Sequence, residues 1–134
     1  MPRSLNGCNI IECHGNQILK TAKSQLEEYF AGQRRSFCVP LDLVGTSFQM
    51  QVWKSLDQVQ FAATRSYAEQ ASSIGRPSAS RAVGAANSKN PVSIILPCHR
   101  IIASGGSLGG FSGGIENKVW LLKHEQAVAV LRMG

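Results

Sequence analysis

Apolar positions along the chain fall into a few periodic runs, separated by glycine, proline and capping residues. Ile18, Leu19, Ala22, Leu26, Tyr29 and Phe30 recur on one helical face, and Gly32 follows where a left-handed C-terminal cap belongs. This spacing predicts a helix over 16–31, preceded by an irregular stretch of 15 residues that carries Gly7 and Gly15. A connector over 33–44 follows, with Phe37, Val39 and Leu41 alternating. After Gly45, Thr46 and Gln49 form a T-x-x-Q capping box, in which each side chain satisfies a free backbone donor of the first turn. The stripe Phe48, Val52, Leu56 and Val59, thickened by Trp53, predicts the helix that this box opens.

A second capping box, Ser66 with Glu69, opens a short helix that Gly75 ends. Pro77 suits the first position of the next helix, because its missing N–H would have no partner there. That helix is predicted to reach Ser88 with Ala79, Ala82, Val83 and Ala86 on one face. Two short helices joined by a tight turn have the form of a helix-turn-helix over about 66–88. The second is built from small residues: Ser78, Ala79, Ser80, Ala82, Gly84, Ala85 and Ala86. Small side chains admit a close neighbour, either another helix or a nucleic-acid groove, and Arg81 is the one large cation in its middle. Residues 92–96 form a β-branched run that predicts a short buried strand, and Ile101-Ile102 a second. Six glycines in the ten residues 105–114 require a loop. A final helix follows, with Val119, Trp120 and Leu122 facing inward, and is predicted to end near Glu125.

The length of 134 residues allows one full domain, or a small domain with a fragment of another. A hydrophobic content of 43% excludes a disordered chain. The longest apolar runs, 92–96 and 127–131, are far too short to span a bilayer, and no signal-peptide pattern opens the chain. The expected setting is therefore soluble and intracellular. The formal charge is +6, and residues 58–112 hold five cationic side chains (Arg65, Arg76, Arg81, Lys89, Arg100) against Glu69 alone. Such a stripe suits an anionic partner, nucleic acid being the usual one, or serves as solubilising charge.

The four cysteines, Cys8, Cys13, Cys38 and Cys98, show no C-x-x-C spacing. Cys8, Cys13 and His14 could supply three zinc ligands, but a fourth with suitable spacing is missing, so free thiols and no metal are expected. Cys98 closes an apolar run and is followed by His99 and Arg100. A thiol is nucleophilic as thiolate, and an adjacent imidazole can take its proton if a carboxylate fixes the imidazole's tautomer. The same residues also fit a buried structural thiol beside a surface histidine.

Pro97-Cys98-His99-Arg100, preceded by Asn90-Pro91 and followed by Gly113-Gly114, resembles the O6-alkylguanine-DNA alkyltransferase family. Pro40-Leu41-Asp42, Gly45-Thr46, Phe48-Gln49 and Val52-Trp53 are similar to the family's entry into its catalytic domain. Thr64, Ser66-Tyr67, Ala68, Gly75, Pro77 and Arg81-Ala82-Val83-Gly84 resemble its helix pair. Lys118, Trp120-Leu121-Leu122 and His124-Glu125 resemble its closing helix, so the likeness spans about residues 16–126.

The resemblance implies an α+β, mostly helical fold: a winged-helix-like helix-turn-helix catalytic domain with short strands over 41–134, after a remnant of an amino-terminal domain over 1–40. It implies direct-reversal DNA repair without a cofactor. Cys98 would take the alkyl group from guanine O6 (and from thymine O4) as a thioether, once per molecule. His99 would act as base through a water, Glu125 would orient His99, and Asn90 would brace the strand and loop. The carbonyls of Cys98 and Ile101 would accept from the guanine amine, the Tyr67 hydroxyl and the Ser112 N–H would donate to the base, and Lys118 would join this substrate-binding set. Arg81 would fill the vacated space in the duplex, with Ser78, Ala79, Ala82, Gly84 and Arg100 also on the DNA. The implied partner is double-stranded DNA carrying O6-alkylguanine, bound largely without regard to sequence by a monomer with no membrane contact. The compartment would be the nucleus in a eukaryote or the cytoplasm in a prokaryote. Family members commonly carry a longer amino-terminal domain, a proline in place of Gln60 and a glycine in place of Ala62, and some have tyrosine in place of Phe111. The zinc site of some members does not map onto Cys8, Cys13 and His14.

Overall fold

The computed structural model describes residues 15–105, 107–111 and 113–133. Cys8, Cys13 and His14 lie outside the described residues. The chain divides into two compact units, one ending at Asp42 and one beginning at Leu43. Among the described residues, no helix is long and apolar enough to cross a membrane.

In the first unit, helix α1 (Gly15–Phe30) forms close to the predicted bounds, but of its predicted face Tyr29 is buried, Ile18, Ala22 and Leu26 are half-buried, and Leu19 and Phe30 are exposed. Gly32 has φ +78° and caps it, with the Gly32 and Gln33 amides donating to Tyr29 and Glu28 carbonyls. Tyr29 is fully buried and packs on Phe37 at 5.6 Å between ring centres. Gln25 holds the connector by a reciprocal pair of bonds: its Nε2 donates to the Cys38 carbonyl at 3.0 Å, and its Oε1 accepts from the Cys38 amide at 2.8 Å.

The second unit is a helical cluster around one apolar core. Helix α2 (Ser47–Ser55) starts at the predicted box, with both Thr46–Gln49 bonds formed, and runs into a 3₁₀ turn, Leu56–Gln58. Helix α3 (Tyr67–Ser73) starts at the Ser66–Glu69 box, again with both bonds formed. Helix α4 covers Ser80–Ser88, and helix α5 covers Ile115–Met133. The core joins Val52 and Trp53 of α2, Leu56 of the 3₁₀ turn, Ala71 of α3, Val83 and Ala86 of α4, and Leu96, Cys98 and Ile101. Burial of this apolar surface is the main force holding the cluster together. The interior also contains a polar clasp. Asn87 Nδ2 donates to Gln70 Oε1 at 2.7 Å, and Gln70 Nε2 donates to Asn87 Oδ1 and the Val52 carbonyl, tying α2, α3 and α4 together.

Two two-residue strands, β1 (Arg65–Ser66) and β2 (Ile101–Ile102), pair in parallel with Arg65 opposite Ile101. This short ladder fastens the start of α3 to the chain leaving Cys98–Arg100, which itself forms a 3₁₀ turn.

Five predicted features of this unit are corrected. Pro77 does not open α4: it is the second residue of a turn closed by the Ala79 amide on the Arg76 carbonyl, a position that its fixed φ favours, and the helix starts at Ser80. Of the predicted face of α4, Val83 and Ala86 are buried, Ala79 is half-buried and Ala82 is exposed. Residues 92–96 form a turn instead of a strand. Asn90 takes the Val92 amide on Oδ1 and gives Nδ2 to the Leu96 carbonyl, so a side chain supplies what a ladder would have supplied, and Ile94 is driven to φ +78°. In α5 the buried side is Lys118, Leu121, Glu125 and Val128, which leaves Trp120 on the far side, 51% exposed and stacked on His124. No glycine or proline stops α5 before Gly134, so it runs to Met133 instead of ending near Glu125.

Replacing Gln70 with methionine strands the buried Asn87 amide and is expected to cost about 1–3 kcal/mol. Urea unfolding measures this as a lower midpoint with an unchanged slope; an unchanged midpoint would show that the clasp contributes nothing.

Candidate active site

The Asn90-closed turn delivers the chain to Pro97 and Cys98 in the core. Cys98 is 5% exposed, yet it lines an open cavity of about 590 Å³. Tyr67, Arg81, Gly84, Ala103, Gly110 and Phe111 share its walls. Burial pushes the Cys98 thiol up, while side-chain hydrogen bonds from Asn90 and Ser93 and the nearby Lys118 ammonium act in the opposite direction without cancelling it. The resting group is therefore a neutral thiol, not a preformed thiolate. Its proton must leave during any reaction at sulfur.

His99, fully buried, has its Nε2 2.6 Å from Glu125 Oε2. Burial lowers the imidazole's proton affinity, and Arg100 and Lys118 add to this against the pull of Glu125, so His99 is neutral at neutral pH. Burial acts to raise the Glu125 value, but hydrogen bonds from His99 and Arg100 outweigh it and hold the carboxyl at about 2. A neutral imidazole facing an ionised carboxylate carries its proton on Nε2 and leaves Nδ1 as a bare acceptor. Nδ1 is buried and has no hydrogen-bond partner among the described residues. The arrangement is thus a base with its tautomer fixed, next in the chain to a thiol that has a proton to lose.

Arg100 is not on the surface. It is 5% exposed, with Nε 3.0 Å from Glu125 Oε1, Nη2 3.0 Å from Oε2, and Nη1 2.8 Å from the Val59 carbonyl. The expectation of a DNA contact is corrected: the buried Glu125 carboxylate needs a counter-charge, and Arg100 supplies it. The Ala62 amide gives Glu125 Oε1 a further bond at 3.0 Å.

Lys118 is fully buried and donates to the carbonyls of Ile101 (2.6 Å), Leu108 and Gly110 (3.1 Å). All three ammonium protons therefore go to backbone, and Lys118 fastens the glycine-rich loop over the cavity instead of reaching into it. The Ile101 carbonyl keeps its second lone pair. The Tyr67 hydroxyl lies 3.4 Å from the Gly110 carbonyl, and Gly109 sits so close that a Cβ there would meet that hydroxyl at 2.7 Å. With φ +68° as well, Gly109 admits no other residue without strain. Ser112 lies outside the described residues.

Along α4 and the turn before it, Ser78, Arg81, Ala82 and Ala85 are exposed, and a Cβ at Gly84 would lie 3.6 Å from the Tyr67 ring. The outer small residues are therefore open to a groove, while Val83 and Ala86 do the packing. Arg65, Arg76, Arg81 and Lys89 are all exposed, which leaves this unit a basic outer face once Arg100 is neutralised inside. Sequence reasoning missed Ser93 beside the thiol and the loop Val59–Ala62 around Glu125. The available signal for the loop was its departure from the family pattern.

A thiol on a cavity floor, a fixed imidazole–carboxylate base and a basic helix-turn-helix at the rim define a cysteine-dependent site built against nucleic acid. Comparison with known proteins specifies the family. Residues 47–127 match the DNA binding domain of 6-O-methylguanine DNA methyltransferase, and residues 5–43 match that protein's ribonuclease-like domain. A methylated-DNA–protein-cysteine methyltransferase of Mycobacterium leprae is 49% identical over 111 residues, covering 83% of this chain and 67% of that protein. The crystal structure of Mycobacterium tuberculosis OGT in complex with DNA superposes with a TM-score of 0.79 at 51% identity, over 81% of this chain and 66% of that one. Atl1 of S. pombe, solved with damaged DNA containing O6-carboxymethylguanine, has a TM-score of 0.53 at 26% identity, over 63% of this chain and 80% of that one. The chain belongs to the 6-O-methylguanine-DNA methyltransferase family, DNA-binding repair enzymes in which a cysteine of the protein receives the methyl group. It spans about two thirds of the length of the relatives cited from the two mycobacteria.

Ala62 holds φ +65°, at the position where the family commonly has glycine. Left-handed backbone costs a residue with a Cβ about 1–2 kcal/mol, partly offset by the lower unfolded-state entropy of alanine. Ala62→Gly is therefore expected to stabilise the fold by about 0.5–1 kcal/mol, seen as a higher urea midpoint. A midpoint that stays put or falls would mean that the loop carries no such strain.

Proposed function

We propose that this chain repairs double-stranded DNA carrying O6-alkylguanine by moving the alkyl group onto Cys98, once per molecule, as a monomer. The observation that carries the proposal is the neutral, buried thiol next in the chain to a histidine whose Nδ1 has no hydrogen-bond partner among the described residues and whose other ring nitrogen is fixed by Glu125.

A carbon on guanine O6 is inside the base stack, so the nucleotide must be swung out, at a cost of a few kcal/mol. Arg81 at the cavity rim fills the space left in the duplex, and Ser78, Ala79, Ala82 and Gly84 let the α4 backbone press on the groove. The cavity admits the extruded base under the loop that Lys118 fastens. There the Cys98 and Ile101 carbonyls face the guanine amine, while the Tyr67 hydroxyl and the Ser112 N–H donate to the base.

Cys98 Sγ then attacks the alkyl carbon in line with the departing O6. The C–O bond breaks as the C–S bond forms, and the thiol proton passes through a water to His99 Nδ1. Glu125 stabilises the imidazolium so formed, as the carboxylate partner does in other nucleophile–imidazole–acid arrangements. The guanine leaves with the electron pair of the broken bond, and the donors at the base reduce the cost of that charge. Substrate and thiol supply all the atoms, so no cofactor enters. The thioether has no hydrolytic exit, which makes the protein a stoichiometric reagent.

Mixing the protein with duplex DNA containing O6-methylguanine is expected to raise its intact mass by one methyl in place of one hydrogen, with the label on Cys98 and none in Cys98→Ala. Repair should stop at one equivalent. Tight binding with unchanged mass would instead indicate a damage sensor, and continued turnover would overturn the single-use chemistry.

A further inference from the structure

The mechanism above uses Cys98, His99 and Glu125 but gives no task to the guanidinium that holds Glu125. From the geometry we infer that Arg100 is a positioning residue of the proton relay: its planar fork fixes both oxygens of Glu125, and so presents His99 to the thiol as an oriented base. This inference rests on the functional reading just given and goes beyond it.

Three observations support a positioning role over simple charge cancellation. First, the contact is a fork. Nε and Nη2 reach Glu125 Oε1 and Oε2, both at 3.0 Å, a planar match that a point charge cannot reproduce. Second, Arg100 is itself anchored. Nη1 donates to the Val59 carbonyl at 2.8 Å, and the guanidinium lies 5.6 Å from the centre of the Phe61 ring. Third, the same loop returns to the carboxylate through the Ala62 amide, and Gln126 Nε2 donates to the Ala62 carbonyl at 2.9 Å. The carboxylate is thus held by Arg100 and the Ala62 amide as well as by His99.

Arg100 also acts on His99 through charge. The charged groups that act on His99 are Glu125 and Lys118 from α5 and Arg100 from its own turn, while Cys98 precedes it in the chain. Glu125 favours the imidazolium, whereas Arg100 and Lys118 oppose it. Removing the Arg100 charge lets Glu125 act with less opposition. His99 then holds a proton at higher pH, and the base is lost to protonation sooner as pH falls.

The test is single-turnover methyl transfer from an O6-methylguanine duplex, followed against protein concentration and pH. This separates the maximal rate from half-saturation. In the wild-type protein the rate should hold as pH falls to the ordinary imidazole value and drop only below it, since His99 is depressed. Arg100→Gln is expected to lower the maximal rate at least about tenfold at unchanged half-saturation. It should also move the acid limb upward by about one pH unit. Arg100→Lys, which keeps the charge but loses the fork, should restore the acid limb while remaining slow. Weaker half-saturation with an intact maximal rate would make Arg100 a DNA contact and overturn the inference. So would a wild-type rate in either variant. If Arg100→Gln does not fold, Arg100→Lys decides: slow at unchanged half-saturation supports the role, and full speed refutes it. A wild-type protein that binds the duplex but transfers no methyl would instead refute the functional reading itself.

Discussion

A single buried carboxylate organises the catalytic unit. Glu125 is ionised inside the protein, where an uncompensated charge would be prohibitive, and it is tolerated because its oxygens are filled by His99, Arg100 and the Ala62 amide. Those three partners come from two separate stretches of chain, and Glu125 itself from a third. The turn Cys98–Arg100, the loop before β1 and helix α5 are thereby held in one geometry by one side chain. Removing any partner would leave charge or polar backbone unpaired in the core, so the arrangement is over-determined, and for the same reason it is exact enough to orient a base.

The reactive sulfur is a product of the same packing. Cys98 belongs to the apolar core and shares it with Leu96 and Ile101. Burial favours the protonated thiol. The polar groups that lower the cost of a thiolate, Asn90, Ser93 and Lys118, also shape the backbone around it. Asn90 closes the turn before Cys98, and Lys118 secures the loop after it. A protein that is consumed by its reaction has no need of a thiolate at rest. It needs a thiol that is deprotonated where and when the alkyl carbon is in place.

Much of this was legible in the sequence for a physical reason: capping chemistry and turn glycines act locally. The Thr46–Gln49 and Ser66–Glu69 boxes, and Gly32 as a cap, are found where the residues put them. The misreadings have two causes: a local side chain that replaces a strand's bonds, and ionic groups paired in the core. Residues 92–96 look like a strand because β-branched residues favour one, but the Asn90 side chain just upstream bonds Val92 and Leu96 and makes them a turn. Trp120 reads as inward because it is large and apolar, yet α5 turns Lys118 and Glu125 to the core, each with enough partners to be buried. Arg100 reads as a DNA contact for the same reason, since charge in a sequence suggests surface. Tertiary pairing of ionic groups has no local signature, and the active site consists largely of such pairing.

The protonation pattern of His99 tests the account most directly. Nitrogen-15 NMR of the imidazole in the unmodified protein should show the proton on Nε2 and a bare Nδ1 throughout neutral pH. A proton on Nδ1, or an imidazolium at neutral pH, would leave nothing to receive the Cys98 proton and would contradict the mechanism.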